Sequence, residues 1–252
     1  MSEEVFPKKR IRCGGDAGVR GIVMEEILVK QERAVRTRAL VLRAGAEVIA
    51  ARGYEGATIS EILEHAGVTK GAMYFHFPSK QALAEAVIEE QTSISTVPAT
   101  MSRLQDAVDL SQRVARSLQR DPLLQAGTRI AVETGFGDEP IVPYRQWTDV
   151  FRSLFAFAQE AGEVLPTVSA QETAETFVSS YLGVQLFSQA ATNREDVCER
   201  VAALWRHLLP GIATPGVLAR IDPYGSGDHD DELDTVPEYD MAQHGTTDVA
   251  SS

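Results

Sequence analysis

The sequence predicts an all-α protein, an N-terminal helix-turn-helix unit followed by a larger helical domain. Three observations carry this. Two short, capped apolar segments flank a Gly between residues 58 and 80. The segments behind them repeat apolar residues at i, i+3, i+4 and i+7, the spacing of one helix face. No stretch carries a strand pattern.

Taken in order, residues 1–31 show no sustained period, and Gly14, Gly15, Gly18 and Gly21 interrupt any helix. They read as a disordered N-terminal arm. The first helix is expected over 33–52, with Val41, Leu42, Gly45, Val48 and Ile49 as its inner stripe and Gly53-Tyr54 as its end. Gly45 costs about 1 kcal/mol against Ala in a helix, which points to close packing there.

Thr58 and Glu61 form a capping box, T-x-x-E. Ile59, Ile62, Leu63 and Ala66 then share one face. Gly67 stops the helix where positive φ is common. Val68 plugs the turn, Thr69 caps a second short helix over 69–75, and Phe77-Pro78 closes it, because the residue before Pro is pushed out of the α region. In such a unit the second helix enters the major groove. Lys70 offers a cation, Gly71 allows close backbone approach, and Thr69, Tyr74 and His76 supply donors for phosphate oxygens. Ser79 caps the next helix, 81–94, and puts Lys80 at a terminus that already favours anions. The side chains assigned to a duplex are Thr58, Thr69, Lys70, Gly71, Tyr74, Phe75, His76 and Lys80.

The rear domain starts with a helix over 101–118. Asp121-Pro122 then places Pro at the first position of a helix over 123–134. After a loop, 135–143, comes an aromatic helix, 144–161, with Trp147, Phe151, Phe155 and Ala158 in one row. Ser169 and Glu172 read as another capping box, opening 169–191. Asn193 reads as the cap of the last helix, which carries Val197, Val201, Leu204 and Leu208 and stops at Pro210-Gly211. Both closing helices are apolar nearly all round, so they are expected to pack on the core and on a second copy. Residues 217–252 read as a disordered acidic tail. The domains are thus 32–82 for DNA and 83–216 for ligand and dimerisation.

The 252-residue chain carries a net charge of −12, which taken whole opposes nucleic acid. Its distribution reverses that. Residues 30–80 hold eight basic and five acidic residues, whereas 217–252 hold one basic and nine acidic. Local charge counts, because screening acts beyond about 8 Å. Cys13 and Cys198 make no disulfide framework, and no Cys/His cluster has metal spacing. His65, His76, His207, His229 and His244 pair with no nucleophile, and no phosphate loop or nucleophile elbow occurs. No enzyme, metal or cofactor is expected. With no apolar run long enough to span a bilayer and no secretory h-region, the chain reads as cytoplasmic, with no membrane partner.

Tyr144, Trp147, Phe151 and Tyr181 can line an apolar pocket with polar handles, although an aromatic stripe at this spacing is more readily core. The runs G-Y-E-G-A-T-I-S-E-I and A-G-V-T-K-G-A-M-Y-F-H-F-P-S-K closely resemble the DNA-binding domain of the TetR family of repressors, over residues 33–92. Within that family V-T-K-G-A-M-Y-F-H-F is similar to the γ-butyrolactone receptors of antibiotic-producing actinomycetes. The resemblance implies a homodimeric repressor on a near-palindromic operator, released by a lactone, butenolide or furan signal and controlling antibiotic biosynthesis. It also implies that Trp147 lies over the ligand, that Gln91 helps bind it, and that Gly183-Val184-Gln185 is the family's segment in the eighth helix. Tyr181-Leu182 departs from the small hydroxylated residue of many relatives, so Tyr181 narrows the pocket or donates a hydrogen bond. The competing readings are a regulator or adaptor whose rear domain only dimerises, and a sensor of an antibiotic.

Overall fold

The computed structural model describes residues 16–92, 102–133 and 142–227, with 16–30, 91–92 and 142–143 described by backbone alone. It forms ten helices: α1 Asp16–Arg52, α2 Ile59–Ala66, α3 Lys70–His76, α4 Lys80–Thr92, α5 Arg103–Arg120, α6 Pro122–Glu133, α7 Val142–Glu160, α8 Ala170–Thr192, α9 Val197–Ile212 and α10 Pro215–Leu218. The all-α architecture expected from the periodicity is the one observed.

α1 begins at Asp16, not near Arg33, so residues 16–31 are helical rather than an irregular arm. Gly18 and Gly21 each cost about 1 kcal/mol against Ala. Extending a helix that already exists needs no new nucleus, however, and the turns next to the expected start, residues 25–31, carry the helix formers Glu, Leu, Lys and Gln. The rest of the expected arm, 1–15, lies outside the described residues.

The helix-turn-helix forms for the reasons its sequence gives. Thr58 Oγ1 accepts from the Glu61 N–H at 3.2 Å while the Glu61 carboxylate accepts from the Thr58 N–H at 3.2 Å. Gly67 takes φ 64°, where a side chain is strained, and ends α2. Gly45 meets Leu83 of α4 so closely that a Cβ would lie 2.7 Å from Leu83 Cδ2, the tight packing its place in α1 predicted.

Two hydrophobic cores result. The first joins Val41 and Ile49 of α1, Ile62 of α2, Met73 of α3, and Leu83 and Val87 of α4. It therefore extends past the expected boundary at 82/83. It also takes in Ala126 and Ile130 of α6, a helix of the rear domain. The second core is aromatic: Phe151 and Phe155 of α7, Phe177 of α8 and Trp205 of α9 pack around α5.

Three further expectations change. Asn193, with φ 53°, closes α8 instead of capping α9. Asn tolerates that left-handed exit. Asp196 precedes α9 without a cap bond. Its carboxylate is engaged by Ser188 Oγ at 2.6 Å, Thr192 Oγ1 at 2.8 Å and Arg200 at 2.6 Å. Pro210 lies inside α9, which runs to Ile212. So near the end, the missing N–H removes a single bond, and the Ala213 N–H still reaches Leu209 O at 2.9 Å.

Residues 217–227, assigned to the acidic tail, are ordered. After α10 the chain runs back over the polar side of α5. Gln105 exchanges two bonds with the Asp222 backbone, at 3.0 and 2.9 Å, and Gln112 donates to Pro223 O at 2.8 Å. Asp109 accepts from the Ser226 N–H at 2.9 Å and its Oγ–H at 2.8 Å. The sequence hides this because the partners lie more than 100 residues apart. Asp109→Ala would remove the charged acceptor of Ser226 and of the buried Gln105 amide, and unfolding in urea is expected to show a loss of about 1–3 kcal/mol.

Candidate DNA-reading face and ligand cavity

α3 is seated by Met73, fully buried, and by Phe77 immediately after it. That seating turns Lys70, Gly71, Tyr74 and Phe75 outward. Phe75 is 79% exposed, a large aromatic with no burial inside the protein to account for it. The Lys70 ammonium lies 5.8 Å from the Tyr74 ring centre. Thr69 is committed as the cap, accepting from the Ala72 N–H at 3.3 Å. His76 is half-buried and sits edge-on to Phe75, ring centres 5.0 Å apart. A Cβ on Gly71 would meet nothing within 4 Å and its φ is not positive. The fold itself does not demand a glycine there.

Ion pairing sorts the basic residues of this unit. Arg43 pairs with Glu47 at 3.1 Å, Glu47 also holds His65, and Arg52 reaches Glu61 at 3.6 Å. Burial alone would raise the Glu47 carboxyl, but the hydrogen bonds of His65 and Arg43 outweigh it and hold it below the usual range. Lys80 lies 4.3 Å over the Tyr54 ring and 3.4 Å from Glu55 O, so it also braces the α1–α2 turn. Arg33, Arg36, Arg38 and Lys70 have no carboxylate partner among the described residues. Arg38 stands 5.3 Å from the ring of Phe77, at the foot of α3. Unneutralised charge thus gathers along α1 toward α3, a feature that residue counting could not resolve.

The second candidate site is a cavity with an empty volume of about 630 Å³, part of it open to solvent, between α5, α6, α7 and α8. Its lining is mostly apolar with a few polar atoms, the make-up of a small-molecule site. Tyr144, Trp147, Phe151, Tyr181 and Gln185, all picked out in the sequence, line it. Gln91 is in the last turn of α4, and its side chain lies outside the described residues. Trp147, Phe151 and Phe177 form a continuous apolar wall, with ring centres 6.5 and 4.5 Å apart.

The polar atoms decide what this wall is for. Gln185 is 1% exposed, yet among the described residues neither its amide oxygen nor its amide nitrogen has a partner, and the buried Tyr144 hydroxyl has none. Leaving such groups unpaired costs about 1–3 kcal/mol each. A ligand that reached these atoms would recover that cost. Tyr181 is different. Its hydroxyl donates to Ser111 O at 3.1 Å, so it narrows the cavity and its hydrogen is already engaged. Burial raises both phenols above their ordinary pKa, keeping them neutral.

Three participants escaped the sequence reading. Trp205 is fully buried, and its indole N–H donates to Ser111 Oγ at 2.8 Å. It continues the Val197, Val201 row at i+4, a visible signal. Thr128 and Ala131 of α6 also line the cavity, which only the tertiary packing reveals.

A family model for bacterial regulatory proteins of the tetR family matches residues 41–87, and one for the tetracyclin repressor-like C-terminal domain matches 101–214. The A-factor receptor protein of Streptomyces griseus is 44% identical over 201 residues, 80% of this chain and 72% of that protein. A crystal structure of a gamma-butyrolactone receptor (ArpA-like protein) superposes with a TM-score of 0.61 at 32% identity, covering 75% of this chain and 93% of that one. CprB of Streptomyces coelicolor, solved in complex with its biological operator sequence, gives 0.64 at 33% identity, with 75% and 94% covered. Two matched domains and a relative this similar leave one assignment: the chain belongs to the TetR family of bacterial transcriptional regulators, a family of DNA-binding proteins rather than enzymes.

Proposed function

We infer that the protein is a ligand-responsive repressor that binds a near-palindromic operator as a homodimer and leaves it when a small signal fills the cavity beside Trp147. The observation that carries the reading is Gln185, buried at the cavity wall with both amide atoms unpaired. A rear domain that only dimerised would have no use for it. The similarity to an A-factor receptor and a gamma-butyrolactone receptor supports a lactone, butenolide or furan signal and a role in antibiotic control.

For DNA, the reading rests on the outward set of α3. Duplexes selected from a random pool by the wild type supply the operator. Lys70→Ala and Tyr74→Ala are then expected to lose about 1–3 kcal/mol if a base contact goes. A lost phosphate contact instead lowers the salt slope by about one unit. Gly71→Ala makes a sharper test. It should leave the protein as stable or up to about 1 kcal/mol more stable, since Ala is the better helix former. Its duplex affinity should nonetheless fall, because the methyl group intrudes where the backbone approaches DNA. Normal folding with unchanged duplex binding in all three variants would sink the assignment.

A further inference from the structure

Most polar groups on the cavity wall are already engaged inside the protein. The Ser111 hydroxyl donates to Val108 O at 2.7 Å and accepts from the Trp205 indole N–H at 2.8 Å. Thr128 Oγ1 donates to Leu124 O at 2.9 Å, and the Tyr181 hydroxyl donates to Ser111 O at 3.1 Å. Gln185 and Tyr144 differ. Gln185 lines the cavity from α8 and is 1% exposed, with Oε1 and Nε2 both unpaired among the described residues. Because both atoms are unpaired, turning the amide over changes nothing.

The two atoms need opposite partners. Nε2 carries hydrogens and needs an acceptor, while Oε1 only accepts and needs a hydrogen. The wall offers Oε1 little. Among the described lining residues there is no Lys, Arg or His, and the hydroxyl hydrogens of Ser111, Thr128 and Tyr181 are taken. The Tyr144 hydroxyl has no partner there either, and it can rotate to donate or to accept, so it suits either kind of ligand group. Oε1 therefore decides. A lactone or furan ring with no hydroxyl brings acceptors alone. It pairs Nε2 but seals Oε1 away from water unpaired, which is the costly outcome.

We propose that the ligand of this cavity presents a hydrogen-bond donor beside an acceptor, as a hydroxy-lactone, a lactam or a protonated acid does, and that the Gln185 amide pairs with both. Its apolar body then lies against Trp147, Phe151 and Phe177. The proposal rests on the cavity reading above and narrows it. The carbonyl and one N–H of a primary amide share an edge, so a donor and acceptor side by side close two bonds at once. A site with a buried acceptor also rejects the analogue that lacks the hydrogen, because the acceptor is then left unpaired.

Two matched probes test it: 5-butylpyrrolidin-2-one, a lactam, and γ-octalactone, which has the same ring and tail with an oxygen in place of the N–H. Each is titrated by calorimetry into the wild type, Gln185→Leu and Trp147→Ala. The lactam is the more strongly hydrated probe, but that cost is the same for every protein and cancels when lactam-to-lactone affinity ratios are compared. The ratio is expected to be at least about tenfold higher in the wild type than in Gln185→Leu. A ratio that does not fall in Gln185→Leu overturns the donor requirement and leaves the cavity standing. Failure of both probes to bind, or binding that Trp147→Ala does not weaken, overturns the cavity reading and the proposal with it. Gln185→Leu removes two unpaired buried atoms, so it is expected to melt no lower than the wild type by circular dichroism. If it does not fold, Gln185→Met, which keeps the unbranched shape, takes its place.

Discussion

A protein carrying Leu204→Glu and Leu208→Glu is expected to sediment as a monomer and to bind its operator about 10²–10⁴-fold more weakly. That range is what bivalent attachment adds to a single contact. Both leucines are half-buried on α9, packed on the edge of the rear core and open on the other side. Next to them α8 and α9 form a shallow groove lined by Gly183, Val184, Phe187 and Ala203. Phe187 is 61% exposed, and a Cβ on Gly183 would meet nothing within 4 Å. Such a surface suits a two-fold partner that brings the same two helices. Four carboxylates brought together there would repel one another and lose solvation, and the nearest cation in the groove, Arg200, is already paired with Asp196. In the separated chain each Glu can turn to water, so the fold should survive, as circular dichroism would show. A double variant that remains dimeric at micromolar concentration places the interface elsewhere.

How much of this was legible beforehand depended on how local each signal is. The helix-turn-helix is written in adjacent residues: a capping box, a Gly at positive φ, an apolar plug and a Pro stop. The structure follows it almost residue by residue. Trp147, Tyr144 and Gln185 do line a cavity, although spacing alone favoured core for the aromatic row. The unpaired state of Gln185, which speaks for a pocket, appears only once its neighbours are in place. The strap over α5 was misread because acidity and Gly content describe composition, whereas Gln105, Asp109 and Gln112 act over more than 100 residues of separation. Asn193 failed for another reason. It serves equally as an N-cap and as a left-handed exit, and the demand for a sharp turn after α8 chose the exit.

The packing across the expected boundary at 82/83 bears on how the switch works. α4 crosses it, running from Lys80 at the DNA unit to Gln91 in its last turn. The structure adds α6. Its Ala126 and Ile130 sit in the N-terminal core, while Thr128 and Ala131 line the cavity. At its end Arg129 donates to Ala50 O at 2.9 Å, and Glu133 accepts from the Tyr54 N–H at 2.9 Å, gripping the turn between α1 and α2. One helix thus shares a face with the N-terminal core and with the cavity, so a shift at the cavity wall would reach the helix-turn-helix.

Ligand can release DNA only if it prefers the conformation in which the two recognition helices no longer match both half-sites. Couplings of this kind are typically 1–3 kcal/mol, about 5- to 150-fold in operator affinity. Trp147→Ala is expected to leave operator binding within about twofold, since Trp147 packs on the rear core and not on the first. The same variant should not respond to the lactone, butenolide or furan compound that releases the wild type. Fluorescence anisotropy of a labelled operator, titrated with that compound, reads both quantities in one experiment. Release of Trp147→Ala with the wild-type dose dependence would mean that the signal enters somewhere other than the cavity between α5, α6, α7 and α8.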